Sequence, residues 1–165
     1  MQKYSRHYED IVSIMASPEA IFSYTDDQTN LSSHMNQSTW MMGGGSMKTE
    51  LDEGGGKKVG SHIRMNGIVF GIHLFLEEVI IQREPPFRKA WETVGNINLI
   101  VIDHYKLGYE IMPMGSVSNL RIYIEYNLPK SWKTSWLGFI FGGIYARWCV
   151  RQMINGVQDH FHTNT

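Results

Sequence analysis

One cysteine, Cys149, is all that the 165 residues contain, so no disulfide can close within the chain. That usage fits a reducing compartment. An excess of charge of one sign is also missing: 15 Lys and Arg stand against 16 Asp and Glu, a net charge of -1. A nucleic-acid footprint needs clustered cations, and the local cluster here, Lys57-Lys58, sits in a glycine-rich turn. Long hydrophobic runs are absent too. The most apolar stretch, Trp136 to Val150, contains Arg147 and is shorter than the ~20 residues that a membrane-spanning helix needs. Residues 1–10 are polar and charged, with no apolar signal-peptide core. The expectation is one soluble, cytoplasmic domain over residues 1–165, large enough to bury a core without staples.

Recognisable catalytic and cofactor signatures are equally scarce. The runs Gly43-Gly44-Gly45 and Gly54-Gly55-Gly56 are not followed by Gly-Lys-Ser/Thr, so they read as turns, not as phosphate cradles. Seven histidines are dispersed. The close pair His160-x-His162 has no third ligand near it in sequence, and no metal is expected. No Ser-His-Asp set or cysteine nucleophile can be assembled. Neither a cofactor nor a catalytic residue is assigned. Cys149 reads as a small buried hydrophobe.

What is present is strong patterning. Tyr8-x-Asp10-x-Val12-x-Ile14 alternates as a first strand. Ser17-Pro18-Glu19 then has the chemistry of a helix start, with a hydroxyl cap, proline at the first position and an early carboxylate. A second short helix is expected over Thr29 to Met35. Strands follow from Met47 to Tyr126, including Tyr105-Leu107-Tyr109-Ile111 and Leu120-Ile122-Ile124, each with one apolar and one wet face. Leu74-Leu76 and Val79-Ile81 lie out of phase, which predicts a bulge near Glu77-Glu78. Arg88 to Thr93 is a further strand, carrying Trp91.

The C-terminal segment from Trp136 to Phe161 reads as one helix with two apolar stripes. Trp136, Phe139, Gly143, Ala146, Val150, Met153, Val157 and Phe161 form a full-length stripe that should meet the sheet. Leu137, Ile140, Phe141, Ile144, Tyr145 and Trp148 form a second, which stops half-way. Either the short helices and the loop around Trp40-Met41-Met42 cover it, or it is a contact face for a homodimer or protein partner through Leu137, Ile144 and Trp148.

Met15-Ala16-Ser17-Pro18-Glu19-Ala20-Ile21-Phe22, Gly60-Ser61 opening a strand, Glu84-Pro85-Pro86 between strands, and Tyr126-Asn127-Leu128-Pro129 before the long helix occur in a telling order. In that order and spacing, over about residues 6 to 161, the chain resembles the START-like (SRPBCC) superfamily, in particular its polyketide cyclase/dehydrase-like branch. The resemblance implies an α+β helix-grip fold. In it a curved antiparallel sheet of about seven strands wraps a long C-terminal helix, with two short helices after the first strand. It also implies a cavity between sheet and helix for a hydrophobic small molecule such as a lipid, polyketide or quinone-like compound.

Gly142, Gly143 and Ala146 would leave that space on the helix side. Met47, Leu51, Ile63, Met65, Trp91, Tyr105, Tyr109, Ile122, Ile124, Gly143 and Ala146 are the expected lining. A binding or carrier protein is favoured over an enzyme. The enzymatic alternative, a cyclase, dehydratase or hydrolase, would draw on His73, Glu77, His104, Tyr105 or Tyr109. At most one of Glu77 and Glu78 can face the cavity, because strand neighbours point to opposite sides.

Overall fold

Alternation along the strands builds a single sheet whose inner face is apolar. The computed structural model describes residues 3–31, 46–69, 71–129 and 132–163. Strands β1 (Arg6–Ile14), β2 (Ser46–Leu51), β3 (His62–Val69), β4 (Ile72–Glu84), β5 (Arg88–Asn98), β6 (Tyr105–Met114) and β7 (Val117–Tyr126) pair antiparallel in the order β1-β7-β6-β5-β4-β3-β2. Two short helices, α1 (Pro18–Thr25) and α2 (Gln28–Leu31), follow β1, and the long helix α3 (Trp132–Thr163) closes the chain. This is the expected α+β architecture. The glycine run 43–45, residues 40–42 and the second short helix beyond Leu31 lie outside the described residues.

The helix start is built as its sequence indicates. Ser17 Oγ accepts a hydrogen bond from the Ala20 amide at 3.3 Å, and Pro18 occupies the first turn, where its missing N–H costs nothing. Gly55 and Gly56, with φ of 59° and 68°, make a turn between β2 and β3. Asp52 pins that turn by accepting from the Gly54 amide (2.9 Å) and the His62 amide (2.7 Å). Its role is structural.

The C-terminal half of α3 lies on the core: Ala146, Val150, Met153 and Val157 are buried. Its first half departs from the expected stripes. Trp136 and Phe139 are 58% and 71% exposed, and Ile140, Phe141 and Ile144 are exposed as well. The reason lies with two glycines. A Cβ at Gly142 would stand 2.9 Å from the Val101 carbonyl oxygen and 3.1 Å from Leu128 Cδ2, and one at Gly138 would overlap Pro129. The β5–β6 loop and the segment after β7 therefore press onto the glycine edge of the helix, turning its large side chains away.

The core also contains a charged cluster. Lys89 is fully buried, with Nζ donating to the Asp26 carbonyl at 2.7 Å and lying 3.2 Å from Asp26 Oδ1. Arg83 grips the same carboxylate in two places, Nε to Oδ1 at 3.0 Å and Nη2 to Oδ2 at 2.9 Å. Burial alone would raise the Asp26 carboxyl, but the Arg83 bond and the Lys89 charge outweigh it and hold the group below the usual range. Asp26 is the cap residue at the end of α1, so this cluster fastens α1 to β4 and β5.

Candidate functional site

A pocket lies between the concave face of the sheet and α3. It is slim, with a volume of about 40 Å³. Met65, Leu76, Trp91, Leu107 and Ile124 line it from the sheet, Tyr145, Cys149 and Met153 from α3, Leu99 and Ile102 from the β5–β6 loop, and Gln28 and Leu31 from α2. Two more sheet residues, Glu78 and Tyr105, give this apolar space its chemistry.

Glu78 points inward because β4 keeps one phase through its centre: Leu74, Leu76, Glu78 and Ile80 are all buried, while Val79 and Ile81 turn outward. An irregularity near Glu77-Glu78 is present as expected, on the β5 side, but it does not bring Val79 and Ile81 to the inner face. The pairing of β4 with β3 is continuous, and the irregularities with β5 fall between Phe75 and Glu77 and between Ile80 and Gln82. Glu77 faces the other side, held by Arg64 at 2.9 Å and His62 at 3.1 Å.

Across the sheet, Glu78 stands opposite Thr93 on β5. Thr93 Oγ1 in turn donates to the Tyr105 carbonyl at 3.2 Å and accepts from the Tyr105 amide at 3.0 Å. That double clasp sets the Tyr105 ring, whose hydroxyl donates to Glu78 Oε1 in a short hydrogen bond.

Among the described residues, no hydrogen bond of ordinary geometry reaches the other, buried carboxyl oxygen, Oε2, although the Trp91 side chain also favours the charged carboxylate. Burial pushes the Glu78 carboxyl up to about 7, against the opposing influence of the Tyr105 and Trp91 side chains and the Lys89 charge. Burial and the neighbouring Glu78 charge drive the Tyr105 hydroxyl well above its ordinary value. A second orphan, Gln28 Oε1, belongs to another residue of the same lining. An unpartnered buried oxygen normally costs free energy comparable to a lost hydrogen bond.

Of the residues put forward from sequence, Met65, Trp91, Tyr105 and Ile124 line this cavity. Met47, Ile63, Tyr109 and Ile122 are buried in the core but do not line it. Tyr109 packs edge-on against Phe22 and Trp91. Three more of the expected lining residues lie away from this space. Leu51 ends the edge strand and is 37% exposed; Gly143 is exposed; and Ala146 is buried without reaching the space. Val101 and Leu128 press against Gly142, so that glycine serves close packing, not volume.

The remaining enzymatic candidates lie elsewhere. His73 is exposed, and His104 is bound to Asp103 at 2.9 Å and to the Gly95 carbonyl at 3.1 Å. Sequence reasoning allows one of Glu77 and Glu78 to face inward but names Glu77, because a carboxylate on an apolar strand face reads as a break in phase. The uninterrupted Leu74-x-Leu76-x-Glu78-x-Ile80 alternation is the available signal. Tyr145 falls on the outward stripe by spacing, yet its hydroxyl is enclosed. Among the described residues, no group of three or more His, Cys, Asp or Glu is placed to hold a metal ion.

Cys149 is 6% exposed, and burial pushes its thiol up to about 12. Since the thiolate is the reactive form, alkylation by iodoacetamide at pH 8 is expected to wait for unfolding. Mass spectrometry of a time course, with and without denaturant, checks this, and modification at the rate of a free thiol in the folded protein would contradict it.

Seen whole, the sheet order, the long closing helix and the space between them define a known architecture. The structure aligns with an aromatase/cyclase from Streptomyces sp. R1128 at a TM-score of 0.71 and 12% identity, covering 95% of this chain and 93% of that one. The chain has the helix-grip fold. The protein TTHA0849 from Thermus thermophilus gives a TM-score of 0.67 at 14% identity, over 97% and 99% of the two chains. Norcoclaurine synthase from Thalictrum flavum, in complex with dopamine and hydroxybenzaldehyde, gives 0.62 at 13%, over 97% and 88%. No family model and no curated protein sequence matches the chain. At these identities the likeness concerns the helix-grip fold alone. No helix among the described residues is long and apolar enough to cross a membrane.

Proposed function

We propose that the chain binds a hydrophobic small molecule in the cavity between sheet and α3, with a hydrogen-bond donor of that molecule on Glu78. The observation that carries this reading is the orphaned Glu78 Oε2, a buried acceptor in a lining that is otherwise largely apolar. An amine or hydroxyl on the ligand would satisfy it and recover the desolvation cost. The space is narrow, so a drug-sized guest requires the lining to part, and Leu31 and Met153 are the side chains suited to moving. Norcoclaurine synthase, with the same fold, holds small aromatic compounds that carry hydroxyl groups, which agrees in kind. Native mass spectrometry of the purified chain tests the reading. A co-purified mass that is lost from Glu78→Leu supports it, and protein that is ligand-free before and after incubation with phenolic and amine-bearing aromatics rejects it.

A second reading has one specific observation in its favour. A buried carboxyl whose proton is held to about pH 7, bonded to a tyrosine, suits transfer of a proton to or from a bound substrate. In that case Glu78→Gln would retain ligand and lose turnover, whereas a pure carrier would show no reaction with either form.

A further inference from the structure

The exposed first half of α3 is an apolar face that the described residues leave uncovered. Trp136, Ile140 and Ile144 are spaced four residues apart on one side of the helix, flanked by Phe139, and each is more than half exposed. Arg147 continues the same side one turn on. A groove of about 240 Å³ runs between this face and the end of the sheet, lined by Phe139, Ile140 and Ile144 and bounded by Arg6 and Arg147.

Its charge is one-sided. From Tyr126 to Gln158 the chain carries four basic residues and no acidic one. Arg151 meets Asp10 at 3.9 Å, but among the described residues neither Arg6 nor Arg147 has an ion pair. Both rest over aromatic rings instead, Arg6 on Phe139 at 6.0 Å and Arg147 on Tyr8 at 5.5 Å. These contacts hold the guanidinium groups beside the apolar face without neutralising them.

Large apolar side chains, a tryptophan among them, bordered by un-neutralised arginines form a surface complementary to the headgroup boundary of an anionic bilayer. The aromatic and aliphatic groups can enter the acyl margin while the arginines reach phosphates. We infer that the first half of α3 docks this protein on anionic lipid membranes, lying in the interface and not spanning it. The inference is independent of what occupies the cavity.

Co-sedimentation with two sets of vesicles tests it, one of phosphatidylcholine alone and one of equal parts phosphatidylcholine and phosphatidylglycerol. The chain is expected to partition at least about tenfold more strongly onto the anionic vesicles, with the advantage fading as salt is added. Arg6→Gln with Arg147→Gln should remove the preference for anionic lipid, and Ile140→Glu with Ile144→Glu should remove binding to both. These positions are exposed or at the groove rim, so the far-UV circular dichroism should be unchanged. Equal partition of the wild type onto both vesicles, or onto neither, overturns the inference. So does a dimer in sedimentation velocity that Ile140→Glu with Ile144→Glu dissolves, since a second copy would then own the face.

Discussion

Replacing Asp26 with asparagine is expected to destabilise the fold by about 3–5 kcal/mol, because it strips a fully buried lysine of its counter-charge. Lys89 Nζ keeps its 2.7 Å bond to the Asp26 carbonyl, but the charge 3.2 Å away disappears and Arg83 loses its two-point grip. The opposite truncation, Lys89→Met, should be milder, no more than about 2 kcal/mol, since Asp26 retains Arg83 and the methionine fills similar space. The pH dependence has a defined sign. Burial already depresses the Lys89 ammonium, and without Asp26 it falls further below its unfolded value. The native state of the variant then binds fewer protons than the unfolded chain, so its stability rises with pH. Urea unfolding followed by circular dichroism at pH 7 and pH 10 should show the Asp26→Asn deficit shrinking at the higher pH. A Lys89→Met loss larger than that of Asp26→Asn would contradict this account of the cluster.

Glu78→Gln is expected to stabilise the protein in alkaline solution and not in acid. The folded state raises the carboxyl from 4.5 to about 7, so it holds a proton that the unfolded chain has released. The contribution of Glu78 to wild-type stability therefore falls as pH climbs from about 4.5 through 7, reaching a deficit on the order of 3 kcal/mol. Glutamine keeps an acceptor for Tyr105 and never ionises, which removes the slope. Above pH 8 the variant should be the more stable by up to that amount, and near pH 4 the two should nearly coincide. Parallel stability curves across this range would mean that Glu78 is not enclosed as described. The penalty that wild type carries at neutral pH is what a donor-bearing ligand can relieve.

The sheet and its closing helix are legible because their information is local. Alternation in β6 and β7 and the Ser17-Pro18-Glu19 start each depend on neighbours a few residues away. The polar features of the core are less legible because their partners are remote. Lys89 is explained only by Asp26, 63 residues earlier, and Glu78 only by Tyr105, 27 residues later. The glycines of α3 show the same limit. Spacing places Gly142 toward the core but cannot say that the Val101 carbonyl and Leu128 fill the notch. Small residues signal either a void or a close approach, and only the third dimension distinguishes them.

The most direct test of the cavity reading is a fluorescence titration of the protein with 2-naphthol and with 2-methylnaphthalene at pH 8, where Glu78 is largely ionised. The two probes have nearly the same shape, and only the first offers an O–H to Glu78 Oε2. Saturable 2-naphthol binding about tenfold tighter than that of 2-methylnaphthalene, with the gap closed in Glu78→Leu, is the predicted result. Equal affinities in the wild type, or no saturable binding of either probe, would contradict it.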